Sequence, residues 1–266
     1  MESASSFEPL TAAEGGPSHV TRSGRTVRRP AGPWTGTVHA LLRHLEDAGF
    51  TGAPRVVGDG LDADGNEVLT YIEGAVVHPE PSSEEIVGQA GALLRDLHTA
   101  TAGFRPPPDA LWQPWWTHRE GGESVIGHCD AGPWHTVVRD GRPVGFIDWT
   151  LAGPVDRLDE VASTAWWHAQ LHGDDVAERV GLPGAEVRAR RLRAFLDGYG
   201  LPAADRDGLV ARMIEFAIRD CAAEAARARI TPDSADPAPL WALAWRARAA
   251  DWMIRHRPLL DRAVHA

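Results

Sequence analysis

Apolar and polar positions alternate in short runs early in the chain and recur at helical spacing over most of the rest. Residues 18–22 (SHVTR) and 25–30 (RTVRRP) are β-type runs, split by Ser23-Gly24, a hairpin turn signal. Val38, Leu41, Leu42 and Leu45 then predict a helix over about 35–48, with Thr35 or Thr37 as its cap and Gly49 at its end. Residues 54–59 (PRVVGD) and 67–74 (EVLTYIEG) read as strands around the polar turn Asp62–Asn66. That turn has its glycine too early for a calcium loop and no distal glutamate, so it reads as a solvated turn.

Past Gly74 the period changes. Gly74–Pro81 reads as a connector, and a helix starts at Ser82, with Ser82 and Glu85 in capping-box spacing and Ile86, Leu93, Leu94 and Leu97 on its apolar face. Residues 103–120 form a loop rich in proline and tryptophan, and further helices are expected at about 157–172, 185–199, 205–229 and 238–256. Between them lies one hairpin, with strands at Val137-Val138 and Val144–Ile147 and a tight turn at Asp140-Gly141. The expected class is α+β: a loose segment over 1–14, a small β-rich lobe over 15–74 and a larger, mainly helical lobe over 75–266. A cleft between two such lobes is where ligands usually bind.

Composition narrows the function classes. Of 266 residues, 27 are basic and 37 acidic, a formal charge of −10. That balance argues against nucleic acid, whose phosphates require lysine and arginine, and is compatible with a cationic substrate. Two cysteines, Cys129 and Cys221, make neither a disulfide framework nor a CxxC metal pair. The N-terminal residues lack the basic and apolar regions of a signal peptide, and no run of 18 apolar residues exists. The expectation is a cytoplasmic protein with no membrane partner, monomeric or homodimeric.

The candidate chemistry lies in residues 127–150, GHCDAGPWHTVVRDGRPVGFIDWT. The hairpin brings the loop His128–His135 and the exiting Asp148 to one end, so Asp130 and Asp148 are expected to be neighbours. Two adjacent carboxylates repel unless a cation or proton lies between them, and a divalent metal with a polyphosphate would resolve the repulsion.

The pattern H-C-D-x-x-x-x-H followed by I-D-W resembles the H-x-D-x-x-x-x-N and I-D-W/F motifs of aminoglycoside phosphotransferases and their choline-kinase-like relatives. The resemblance runs from about Gly15 to Trp252 and implies the two-lobed protein kinase-like fold. It implies that Asp130 is the catalytic carboxylate facing a substrate hydroxyl, that His128 braces the loop, and that Asp148 holds Mg²⁺ or Mn²⁺ on the phosphates of ATP or GTP. Asp159 would buttress the loop. The chain departs from the pattern at His135, where the family has an asparagine metal ligand; an imidazole suits softer metals than Mg²⁺.

The family's strand lysine is replaced by Arg28 or Arg29; strand alternation points one of them inward, and Arg28 is taken as that cation. The helix position that should offer a glutamate to that cation holds His39, which leaves no fixed ion pair unless Glu46, two turns on, contributes. Residues 15–20, GGPSHV, are the candidate phosphate-covering turn, with Ser18 as a contact. Tyr71 and Ile72 stand where backbone groups would read a purine. The implied activity is phosphoryl transfer to a small-molecule hydroxyl; the alternatives are a nucleotide-binding protein without transfer and a kinase of a peptide. Of the 11 tryptophans, those of the 103–120 loop are candidates to wall an acceptor pocket, and Glu160, His168, Asp220 and Glu224 are candidates to grip an amine.

Overall fold

The computed structural model describes residues 19–119, 121 and 124–266, with the backbone of a two-residue strand at Glu8–Pro9 (β1). The expected contact Ser18 and the glycines of the turn it belongs to lie outside the described residues.

Contacts group the chain into two compact units, each discontinuous in sequence. The first runs to His78 and resumes over Asp96–Val155; the second holds Pro79–Arg95 and Asp156–Ala266. The first unit contains β1, β2 (Thr21–Ser23), β3 (Thr26–Pro30), helix α1 (Thr35–Asp47), β4 (Val56–Leu61), β5 (Asn66–Thr70) and β6 (Ala75–Val76). Helix α2 (Glu84–Thr101) divides between the units, and β7 (Ser124–Gly127), β8 (Thr136–Arg139), β9 (Arg142–Phe146) and β10 (Gly153–Asp156) follow. A five-stranded sheet has the order β1-β2-β3-β5-β4; β6, β8 and β9 form a second sheet, and β10 pairs with β7.

Two turns explain much of this. At Gly24-Arg25 the chain reverses so that Arg22 faces Val27. Between β8 and β9, Asp140 and Gly141 both take positive φ, 52° and 72°, the twist a two-residue hairpin needs. In β4–β5 the register shifts between Val56 and Leu61, where Gly58 and Gly60 take φ of 57° and 95°. Helix α1 buries its expected stripe of Val38, Leu41, Leu42 and Leu45. Neither Thr35 nor Thr37 caps it: Thr35 Oγ1 accepts from Gly32 N at 2.9 Å and Thr37 Oγ1 from Leu111 N at 2.8 Å. Their hydroxyls tie down neighbouring loops instead.

The second unit is helical: α3 (Arg157–His168), α4 (Asp174–Val180), α5 (Ala185–Tyr199), α6 (Leu209–Arg227), α7 (Pro237–Arg255) and α8 (Arg257–His265). Helix α3 stops short of the expected residue 172, and Gln170 beyond it takes a positive φ of 55°. Helix α6 starts at Leu209, after Gly208 at φ 74°, rather than at 205. The capping residue of α2 is Ser83, whose hydroxyl accepts from Ile86 N at 3.2 Å, while Ser82 is buried. Helices α2 and α5 cross at Gly88 and Gly198, where a Cβ on Gly198 would lie 1.9 Å from the Gly88 carbonyl oxygen. Trp166 and Trp252 are fully enclosed, so these two serve the core. Among the described residues no helix is long and apolar enough to cross a membrane.

Candidate active site

The loop between β7 and β8 is held by a histidine beneath it. His128 is wholly buried, its ring centroid 4.8 Å from that of Trp149. Its Nε2–H donates to the Ile147 carbonyl at 3.0 Å, and its Nδ1 accepts from the Asp130 amide at 3.3 Å. Those two bonds require the neutral imidazole and link the loop to the residue before Asp148. Cys129 packs inward, its thiol 3.7 Å from the Gly153 carbonyl. Cys129 and Asp148 both take positive φ, 62° and 58°, a conformation that costs free energy in residues other than glycine.

Asp130 and Asp148 are brought to opposite ends of one ring. His135 Nδ1 donates to the Asp130 carbonyl at 3.0 Å and lies 3.4 Å from Asp130 Oδ2, while its Nε2 is 3.7 Å from Asp148 Oδ2. The other Asp130 oxygen, Oδ1, accepts from the Trp134 indole at 3.1 Å. Trp134 thus orients the Asp130 carboxylate in this geometry.

Asp148 accepts on Oδ1 from Arg29 at 2.6 Å and from the Thr150 hydroxyl at 2.6 Å. Desolvation by itself would raise its pKa. The charges of His135 and Arg29 and the hydrogen bonds from Thr150 and Arg29 outweigh it and hold the carboxyl far below the usual range.

The inward cation is Arg29, not Arg28. In the sheet register Arg29 is directly opposite Glu67, and Val27 is opposite the buried Leu69 on the same face. Arg28 falls on the other face, 3.4 Å from Asp62. Both arginines line a crevice of about 290 Å³ with His19, Thr21, Pro30 and Asn66.

Arg29 also has the ion pair that the helix residue His39 was expected to deny it. Its Nε donates to Glu67 Oε2, and His39 Nε2 lies 2.9 Å from Glu67 Oε1. Burial opposes the charges of Glu67 and Arg29, but His39 and Arg29 together hold Glu67 below its ordinary value, and Glu67 and Asp148 raise Arg29. Glu67 escaped the sequence reading because the family pattern looks for this carboxylate on a helix. Its pairing with Arg29 comes only from the β3–β5 register, for which the sequence offers no local signal.

The other expected residues fall as follows. The Tyr71 amide donates to the Arg25 carbonyl at 2.7 Å, so that group does not face a purine, and the Tyr71 ring lies under Arg22, 3.6 Å away. Ile72 packs at Gly145, where an added Cβ would come within 3.0 Å of it. Asp159 belongs to the second unit, where it pairs with Arg212. In that unit Asp220 pairs with Arg246 at 2.6 Å and Glu224 with Arg227 at 2.7 Å.

Among the described residues no group of three or more His, Cys, Asp or Glu side chains is arranged to hold a metal. The pair Asp148 and His135 still suits a cation that takes most of its ligands from water and phosphate. Asp148 Oδ2 and His135 Nε2 stand 3.7 Å apart, beyond hydrogen-bond reach of one another.

Comparison with known proteins bears on the family and the fold. A family model described as "Phosphotransferase enzyme family" matches residues 36–120 and 108–208. A trifolitoxin immunity protein of Rhizobium leguminosarum bv. trifolii is 52% identical over 251 residues, covering 94% of this chain and 96% of that protein. Among solved structures, the amicoumacin kinase hAmiN, in complex with AMP-PNP, Ca²⁺ and Ami, superposes with a TM-score of 0.65 at 13% identity, covering 92% of this chain and 88% of that one. A microcompartment-associated aminopropanol kinase gives 0.65 at 15%, covering 98% and 95%. A choline/ethanolamine kinase family protein from Mesorhizobium loti gives 0.59 at 16%, covering 98% and 93%. Their likeness establishes the protein kinase-like fold, with a small sheet region and a larger helical part.

Proposed function

The chain belongs to the phosphotransferase enzyme family, and from that membership we propose that it moves the γ-phosphate of ATP or GTP to a hydroxyl of a small-molecule acceptor. The observation that carries this reading is the placement of Asp130 and Asp148 at the two ends of the His135 ring, with Arg29 on Asp148. Phosphoryl transfer needs positioning and charge neutralisation more than covalent chemistry, and these groups supply both. Asp130, oriented by Trp134, takes the proton of the acceptor hydroxyl. Arg29, beside Asp148, grips phosphate oxygens. Asp148, with an unprotonated His135 Nε2, would hold the divalent cation, which would offset phosphate charge.

The acceptor class is proposed from the relative at 52% identity, which is named a trifolitoxin immunity protein. We assign this chain a protective role of the same kind, exerted by phosphorylating a toxin that bears a hydroxyl. The test is incubation with labelled nucleotide, Mg²⁺ or Mn²⁺ and a panel holding trifolitoxin, amino alcohols and aminoglycosides. Label on the toxin that is lost in Asp130→Ala supports the reading. Transfer undiminished in that variant removes Asp130 from its role.

One observation favours a second reading, protection by sequestration without transfer. Asp148 Oδ1 is already taken by Arg29 and Thr150, and His135 replaces the usual asparagine. Immunity that survives Asp130→Ala, with no labelled product from the wild-type protein, would establish it.

A further inference from the structure

We infer that Glu67 and His39 form a positioning relay that sets the guanidinium of Arg29 for nucleotide phosphates, doing from a strand what a helix glutamate does elsewhere in this fold. The inference rests on the reading of Arg29 as the phosphate-gripping cation.

Three features carry it. The first is register: Arg29 on β3 and Glu67 on β5 are direct cross-strand partners, so their side chains share a face and meet without help from any loop. The second is burial. Glu67 and His39 are 1% and 4% exposed, in a chain where such a carboxylate must find partners, and each Glu67 oxygen has one. Oε2 takes the Nε–H of Arg29, and Oε1 takes the Nε2–H of His39. The third is the seat of His39: a Cβ on Gly60 would fall 2.5 Å from its ring, so the bare glycine of β4 leaves the space in which the imidazole sits.

The division of the guanidinium explains what the relay does. Nε is engaged by Glu67, while Nη1 serves the site by bonding Asp148 and Thr150. With Nε held from behind, the planar fork is aimed forward and loses less rotamer freedom when phosphate arrives. Glu67 also supplies a second anion to Arg29, so that Asp148 need not be its sole counter-charge when a metal and phosphates compete for both. Glu67 touches neither nucleotide nor metal in this scheme. It acts through Arg29.

A double-mutant cycle on nucleotide affinity separates this from a merely structural role. Binding of a non-hydrolysable ATP analogue is titrated in wild type, Glu67→Gln, Arg29→Ala and the double variant, with the unliganded melting midpoint recorded for each. The expected result is a loss of about tenfold for Glu67→Gln in the wild-type background and less than about twofold in the Arg29→Ala background. In turnover, KM for nucleotide rises more than kcat falls. His39→Gln, which removes only the far end of the relay, gives a smaller loss of the same kind, and it carries the test if Glu67→Gln does not fold. Equal losses in both backgrounds, or unchanged affinity in the first, overturn the relay alone. A wild-type protein that binds no nucleotide overturns the proposed function itself, and the relay with it.

Discussion

Arg29 Nη1 lies 2.6 Å from Asp148 Oδ1, joining a residue of the first hairpin to one 119 positions later. The contact unites the two chemistries of the site. In the proposed function, one partner is the charge that meets phosphate and the other is the carboxylate that meets a metal. Their mutual bond keeps both ionised before any ligand arrives, and it defines what substitutions here should do.

Replacing Asp130 by asparagine removes the proton acceptor but keeps an oxygen for the Trp134 indole. The expected outcome is a fall in transfer of about 10²–10⁴-fold with nucleotide affinity nearly unchanged. Product formation and analogue binding, measured side by side, check it.

Acid should expose the coupling of Asp148. Its carboxyl is held well below the ordinary 3.8 in the folded protein, so the stabilisation it supplies is present above that ordinary value and is lost as pH falls through the depressed one. The melting midpoint of Asp148→Asn should therefore lie below that of wild type at neutral pH. The gap should hold down to about pH 4 and close under stronger acid. A gap independent of pH would contradict the ion pair.

Gly60 should not tolerate a side chain. Alanine there meets the His39 ring at 2.5 Å and must adopt φ of 95°, so Gly60→Ala should cost about 1–3 kcal/mol and lower the melting midpoint by several degrees. Gly65, at φ 80° with open space around it, is the control: alanine there meets only the backbone cost.

His135→Asn replaces an imidazole by a harder oxygen donor beside Asp148. The ratio of Mg²⁺-supported to Mn²⁺-supported transfer should rise severalfold. Initial rates across a series of the two metals decide it; an unchanged ratio removes His135 from the metal.

Legibility in the chain followed locality. The hairpin, its Asp140-Gly141 turn and the clustering of His128, Asp130, His135 and Asp148 were readable because a two-residue turn dictates which residues share one end. Helix α1 was readable from its apolar stripe, since period alone decides which face is buried. Alternation equally required Arg28 and Arg29 to face opposite ways, but it could not say which faced the site. That depended on pairing with β5, a distant strand whose other partner, β4, slips register at its glycines. Glu67 was hidden for the same reason: it becomes the partner of Arg29 only when β3 and β5 lie side by side. Short-range steric preference and periodicity are properties of the chain itself, whereas a cross-strand pair exists only after distant segments have met, and the geometry of that meeting chose the cation and its counter-charge.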